Sequence, residues 1–242
     1  MYGDNGRIAL IRPGVTPSTE MDFHSRIPQG VAVSTSSVEY DRVTLDGLQA
    51  MSDRVAACAA RYRGFPMDLV VFACTTGSMV GGPGYDKRLI AQIQAACGIP
   101  AITTTTALLE AFSALGLKRL SIVTPYSTAL NEMEQRFLSS EGIETGAITG
   151  LGHEDIRAVP FVRPEEMYDL AVRQGAQGCD ALFISCTGIC VLDIIQPLEE
   201  KLGVPVITSN QATIWNALRR LGFREKIPGF GLLGSTPGPD IA

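Results

Sequence analysis

Two cysteines, Cys74 and Cys186, close short apolar runs that read as one pattern written twice. The first copy is Asp68-Leu69-Val70-Val71-Phe72-Ala73-Cys74-Thr75-Thr76-Gly77, and the second is Asp180-Ala181-Leu182-Phe183-Ile184-Ser185-Cys186-Thr187-Gly188. Each has a matching tail, Gly98-Ile99-Pro100-Ala101-Ile102-Thr103 and Gly203-Val204-Pro205-Val206-Ile207-Thr208, that runs into an apolar helix-like stretch. Internal repetition sets architecture before any single motif does. Here it implies two related half-domains, each offering one thiol at the C-terminal end of a strand.

The thiolate is the reactive form, and a free thiol with a pKa near ~8.5 is mostly protonated at neutral pH. Backbone N–H groups in Thr75-Thr76-Gly77 and Thr187-Gly188-Ile189 can help each sulfur, and can equally receive a substrate carboxylate. The same donors would stabilise charge developing on that carboxylate in an enediolate. Two opposed thiols then support two reactions. In a racemase, one thiolate removes the proton beside a carboxylate and the other thiol returns one on the far face. In a cis-trans isomerase, one thiolate adds to an alkene carbon, the resulting single bond rotates, and the other thiol manages the proton. Neither reaction needs a metal or another cofactor.

The elements that must position these groups follow from hydrophobic periodicity. Apolar runs predict strands at Arg7 to Arg12, Gly30 to Ser34, Asp68 to Ala73, Ile99 to Thr103, Arg119 to Thr124, Gly146 to Gly150, Asp180 to Ser185 and Val204 to Thr208. Helical spacing predicts helices at Thr44 to Arg63, Tyr85 to Cys97, Thr104 to Leu115, Pro164 to Gln174, Asp193 to Leu202 and Asn210 to Leu221, with another running to about Ser140 after a turn at Pro125-Tyr126-Ser127. Strands alternating with helices give an α/β protein with parallel sheets in two similar lobes. The expected first lobe is residues 1–117 together with about 209–242, and the second is 118–208. In such folds ligands bind beyond the C-terminal strand ends, where Cys74, Thr103, Thr124, Cys186 and Thr208 all fall.

The bulk numbers exclude several classes. The 242 residues carry a net charge of −5 and no Lys/Arg cluster, which argues against nucleic acid or an anionic membrane as partner. No apolar run approaches the roughly 18 residues that span a bilayer, and the first residues lack a signal-peptide pattern, so a cytoplasmic location is expected. Six cysteines without paired spacing, and two histidines, His24 and His153, make neither a disulfide framework nor a zinc site. Homo-oligomerisation stays open, since dimers are common among soluble enzymes and no interface can be read.

Other features have plainer readings. Cys58, Cys97, Cys179 and Cys190 read as packing residues. Gly81-Gly82-Pro83-Gly84 lacks the Lys-Ser/Thr of a phosphate loop and reads as a turn or lid. His153-Glu154-Asp155 reads as a solvated helix start, and Trp215 as core. Arg12, at the end of the first strand, either pairs with a second substrate carboxylate or is a surface residue. Asn210 either approaches the site from a helix N-terminus or caps that helix.

Taken together, the two cysteine motifs, Thr124-Pro125-Tyr126 leading into Asn131-Glu132, and the run Pro205-Val206-Ile207-Thr208-Ser209-Asn210-Gln211-Ala212-Thr213-Ile214-Trp215 resemble the aspartate/glutamate racemase superfamily, in its maleate isomerase and arylmalonate decarboxylase branch. The resemblance covers nearly the whole chain. It implies two lobes about a pseudo-two-fold axis with the active site between them, and no cofactor. Racemases and maleate isomerases use two cysteines, whereas the decarboxylases keep the second and have glycine at the first position; this chain carries both. By the same resemblance Cys74 is the nucleophile, Cys186 the acid, and Tyr126 a donor to substrate carboxylate. Maleate isomerases show Pro-Ser-Ser-Asn then Glu near the N-terminus; here the stretch is Pro13-Gly14-Val15-Thr16 with Glu20, so Thr16 stands where the Asn would be. A decarboxylase-like protein of ectoine utilisation is a further relative. The expected substrate is a small carboxylate, held by Thr75, Thr76, Tyr126, Thr187 and Gly188, with Arg12, Thr16 and Asn210 as further binding candidates. The alternatives are a malonate-type decarboxylase using Cys186 alone and a non-catalytic protein that binds small acids.

Overall fold

The computed structural model describes residues 3–14, 17–40, 42–155 and 157–238. Thr16 therefore lies outside the described residues. The first half contains strands β1 (Gly6–Pro13), β2 (Val31–Val38), β3 (Leu69–Phe72) and β4 (Ala101–Thr103), with helices α1 (Ser18–Arg26), α2 (Leu45–Ser52), α3 (Val55–Ala59), α4 (Tyr85–Cys97) and α5 (Thr104–Ala114). The second contains β5 (Arg119–Tyr126), β6 (Glu144–His153), β7 (Ala181–Ile184) and β8 (Val206–Thr208), with α6 (Thr128–Ser140), α7 (Pro164–Gln174), α8 (Ile195–Leu202) and α9 (Ser209–Arg220). Each half builds one four-stranded sheet, in the orders β2-β1-β3-β4 and β6-β5-β7-β8. All the strand pairs are parallel.

The repeat persists in local bonding. Asp68, just before β3, accepts from the Arg7 N–H at 2.8 Å, and Asp180, just before β7, accepts from the Arg119 and Lys118 N–H groups, both at 2.8 Å. Each carboxylate registers the third strand of its sheet against the first. Thr103 and Thr208 then cap α5 and α9 through their side chains, accepting from the N–H groups of Thr106 and Gln211 at 3.1 Å. Gln211 returns a bond to the Thr208 N–H, completing a capping box. Helices α5 and α9 pack on each other, and the Thr213 hydroxyl donates to the Thr104 hydroxyl at 3.0 Å. Strands β3 and β7 are buried throughout, as their unbroken apolar runs require of central parallel strands.

Three expectations are corrected, and one helix is new. Helix α1 is unannounced by the sequence, because its segment Ser-Thr-Glu-Met-Asp-Phe-His-Ser-Arg is polar and its N-cap, Pro17, makes no side-chain cap. The single helix expected over Thr44 to Arg63 breaks at Asp53-Arg54 into α2, α3 and a short 3-10 turn (Ala60–Tyr62). Helix α2 packs on the turn that follows Cys74 and α3 packs on α4, so the break serves two partners. The turn expected at Pro125-Tyr126-Ser127 is instead the end of β5, where Tyr126 pairs with His153 after a bulge. Finally, His153-Glu154-Asp155 starts no helix. His153 ends β6, the Glu154 carbonyl accepts from the Val43 N–H at 3.1 Å, and Asp155 forms an antiparallel bridge with Arg42. That segment ties the loop after β2 to the second half. The sequence hid it because a strand edge rich in Thr and Gly carries little apolar signal.

Candidate active site

Cys74 and Cys186 each stand two residues beyond the last residue of the third strand of their sheet, and both sulfur-bearing side chains line one cavity. The backbone at both points is pulled onto the sheet: the Ala73 N–H donates to the Ile11 carbonyl at 2.8 Å, and the Ser185 N–H to the Val123 carbonyl at 3.0 Å. After Cys74 the chain winds into a 3-10 turn (Thr76–Ser78), fixed by the Ser78 hydroxyl, which donates to the Cys74 carbonyl at 2.6 Å. Gly77 in that turn is obligatory for space. A Cβ there would stand 2.5 Å from Met51 Cε and 2.8 Å from Cys74 Sγ. After Cys186, the Gly188 N–H turns back to the Cys186 sulfur at 3.1 Å.

Hydroxyls lock the two cysteine loops to each other. Ser209, the first residue of α9, accepts from the Thr75 hydroxyl at 2.8 Å and from the Cys186 N–H at 3.1 Å. The Thr187 hydroxyl donates to the Ala73 carbonyl at 3.3 Å. On the outer side, Thr19 and Ser18 of α1 donate to the Thr187 and Gly188 carbonyls, both at 2.8 Å. The Asn210 amide donates to the Thr187 carbonyl at 3.0 Å and to Asp22 Oδ2 at 2.7 Å. Burial pushes the Asp22 carboxyl up to about 7, although the Asn210 bond works against it.

The predicted site residues therefore divide. Cys74, Cys186, Thr76, Tyr126, Thr187 and Gly188 line the cavity. Thr75 does not: it is buried and its hydroxyl is spent on Ser209. Asn210 is neither the helix cap, which is Thr208, nor a lining residue; it braces the Thr187 carbonyl from behind. Arg12 points its guanidinium at the Gly14 carbonyl (2.6 Å) and Glu20 (3.4 Å). The N–H of Gly188, expected to serve a carboxylate, is donated to sulfur. Sequence reading missed Pro13, Tyr40, Val43 and Val159, which line the same cavity. These are apolar or aromatic residues at a strand end, in a loop and in a 3-10 turn, and nothing in their types or spacing marks them. The enclosed space between these residues is about 30 Å³, and it opens to solvent. Among the described residues no Lys, Arg or His lines it.

Electrostatics follow from that. Burial pushes the Cys74 thiol up to about 12, against the opposing pull of the Gly77 N–H and Thr76. Burial likewise pushes Cys186 up to about 11, against the Tyr126 hydroxyl and the Gly188 N–H. The two sulfurs are close enough for charge on Cys186 to oppose charge on Cys74. Tyr126 is raised too, by burial first and then by charge on Cys186 and Glu134. With no ligand both sulfurs are thiols at neutral pH, and ionisation of one disfavours ionisation of the other. Among the described residues no group of three His, Cys, Asp or Glu side chains is placed to hold a metal ion, and no helix is long and apolar enough to cross a membrane.

Comparison with known proteins places this geometry. The sequence profile of the arylmalonate decarboxylase family matches residues 10–233. Arylmalonate decarboxylase from Bordetella bronchiseptica is 32% identical over 231 residues, covering 94% of this chain and 95% of the relative. Maleate isomerase from Nocardia farcinica is 30% identical over 240 residues, covering 94% of each chain. The crystal structure of maleate isomerase from Pseudomonas putida S16, in a cysteine-to-alanine form with maleate, superposes with a TM-score of 0.91 at 26% identity, covering 95% of this chain and 97% of that one.

Proposed function

The chain belongs to the arylmalonate decarboxylase family, whose relatives are enzymes, and on that footing we propose that it isomerises a small carboxylic acid, with Cys74 and Cys186 working from opposite sides of one cavity. The observation that carries this reading is the placement of both thiols, from equivalent strand ends, on the same cavity. A decarboxylase that protonates a carbanion after loss of CO₂ has work for one thiol only. Resemblance to maleate isomerases gives the second thiol its role, and a maleate isomerase is among the relatives at 30% identity.

For an unsaturated acid the steps balance as follows. The Cys74 thiol passes its proton to a substrate carboxylate as its sulfur adds to one alkene carbon, and the π pair moves to the neighbouring carbon beside the carboxylate. Cys186 gives that carbon a proton. Rotation about the new single bond brings the carboxylate groups to the trans arrangement. The Cys186 thiolate then takes the other hydrogen of that carbon as a proton, the alkene re-forms, and the Cys74 sulfur leaves with its electron pair and recovers its proton from the carboxylate. Thr76 and Tyr126 supply neutral donors to the carboxylate as charge spreads onto it. Among the described residues the lining carries no cationic side chain, so these neutral donors bear that charge.

Decarboxylation of a malonate-type acid is the second reading, favoured by the family profile and by the relative at 32% identity. Proton NMR in D₂O with maleate, alkyl-substituted maleates, aspartate and arylmalonates separates the two. Fumarate-type product or an exchanged and racemised α-carbon supports the isomerase reading, provided Cys74→Ser and Cys186→Ser each remove turnover. Loss of a carboxyl group with one deuterium gained, retained in Cys74→Ser, overturns it in favour of the decarboxylase.

A further inference from the structure

The repeat gives the two sulfurs equivalent places, so whatever sets them apart must lie behind them. Behind Cys74 is Ala73, whose carbonyl accepts from Thr187. Behind Cys186 is Ser185, whose hydroxyl donates to Glu134 Oε1 at 2.6 Å. Glu134 lies on α6 and is wholly buried, and its Oε2 has no hydrogen-bond partner among the described residues. Only Ser185 helps it carry charge; no cation contributes. A buried carboxyl with one neutral partner is costly and would be replaced by an apolar side chain without loss to packing. No step of the isomerisation above uses it.

Its charge reaches two groups of the site, Cys186 beyond β7 and Tyr126 at the end of β5, and it opposes ionisation of both. The other titratable groups around it are accounted for. On α6, Glu132 and Arg136 are exposed and lie 3.7 Å apart as an ion pair. On β6, Glu144 pairs with Arg119 at 3.1 Å, and His153 is the partly exposed register partner of Tyr126. We infer that Glu134, held by Ser185, is a positioning residue whose charge opposes ionisation of the Cys186 sulfur.

This rests on the two-thiol reading and adds the device that breaks its symmetry. The Tyr126 hydroxyl and the Gly188 and Ile189 N–H groups draw Cys186 towards thiolate, and an ionised Glu134 offsets them. Burial pushes Glu134 up to about 7, so the offset is absent in acid and appears as pH rises through neutrality.

The test is the rate of alkylation of Cys186 by iodoacetamide from pH 5.5 to 9, localised by fragment mass spectrometry in the full-length protein, with Cys74 followed in the same digests. In Glu134→Gln the Cys186 rate should match the parent at pH 5.5 and exceed it by about tenfold at pH 9, as for removal of one nearby like charge. The Cys74 rate should change less. In Ser185→Ala, which strips the carboxylate of its one donor, the divergence from Glu134→Gln should begin at higher pH than in the parent. Superimposable Cys186 profiles in the parent and Glu134→Gln overturn the proposal. If Glu134→Gln does not fold, a Ser185→Ala profile identical to the parent's does the same. Alkylation is read without turnover, so a failure here is distinct from failure of the isomerase reading, which Cys74→Ser and Cys186→Ser decide.

Discussion

The Thr75 hydroxyl donates to the Ser209 hydroxyl at 2.8 Å across 134 residues of chain. Ser209 also accepts from the Cys186 N–H, so one oxygen ties the two cysteine loops, beside the bond from Thr187 to the Ala73 carbonyl. The buried hydroxyl stands at the start of α9, which the Thr208 capping box holds in place, and so helps to set the spacing of the two thiols. For a reaction in which two groups must address one substrate, an error of about 1 Å can cost about a hundredfold in rate.

Ser209→Ala should therefore lower kcat/KM more than it lowers stability. It leaves the Cys186 N–H and the Thr75 hydroxyl buried without their partner, at a cost of roughly 1–3 kcal/mol each if no water enters. Thermal unfolding and kinetics on Ser209→Ala, Thr75→Val and the double variant give a coupling energy. The two single losses should be strongly non-additive, because both cut one bond. Additive losses would mean that Ser209 acts on Cys186 alone.

Tyr126→Phe removes the hydroxyl that lowers the Cys186 thiol and leaves burial unopposed by it. Cys186 should lose reactivity to iodoacetamide at every pH, opposite in direction to Glu134→Gln. Turnover should fall by about 10²-fold or more, the scale of a lost donor to developing charge. An unchanged alkylation rate with lost turnover would assign Tyr126 to substrate alone.

The sheet strands and both thiols are legible in the sequence because they are repeated and because central parallel strands need continuous apolar runs. Asp68 and Asp180, and Thr103 and Thr208, show how far that repetition goes: the same residue types make the same bonds in both sheets. What escapes is whatever the repeat does not constrain. Ser18 and Thr19 look like residues of a polar loop, yet their hydroxyls reach the Gly188 and Thr187 carbonyls some 170 and 168 residues away. Thr75 reads as a substrate donor because a hydroxyl beside a thiol has that chemistry; its bond to Ser209 is a tertiary fact. Glu134, two residues from the exposed Glu132 and from the exposed Arg136, carries no local sign of total burial.

Gly77→Ala tests the steric basis of the Cys74 position. The added Cβ would need 2.5 Å to Met51 Cε and 2.8 Å to the Cys74 sulfur, and Ser52 Oγ is 3.3 Å away on a third side. Met51 is a flexible side chain and can move, but Ser52 is tied to the Gly77 carbonyl at 2.7 Å. The sulfur is the group left to give way. Expected is a large loss of turnover with an overpacking penalty of about 1–3 kcal/mol in stability, and Cys74 alkylation altered while Cys186 is not. Retention of full activity would show that the turn relaxes without moving the thiol.

Asp22 makes a prediction about stability and pH. Its carboxyl goes from 3.8 to about 7 on folding, chiefly through burial, with Asn210 and Arg26 pulling down and Asp193 pushing up. The folded state thus prefers the protonated form. Between about pH 4 and pH 7 the unfolded chain binds fewer protons at this position than the folded one, so the contribution is complete below pH 3.8 and is lost as pH rises through about 7. Asp22→Asn keeps an acceptor for the Asn210 amide and removes the titration. The melting temperature of Asp22→Asn relative to the parent should therefore climb as the buffer is taken from pH 5 to pH 8, each pKa unit being worth about 1.4 kcal/mol before screening at this near-surface position. Because Asp22 braces Asn210, and Asn210 braces the Thr187 carbonyl, the same variant should hold that loop more uniformly across pH, flattening any Asp22 component in the pH profile of turnover. A parent-minus-variant difference that stays constant with pH would show that the Asp22 carboxyl is charged in the folded protein after all.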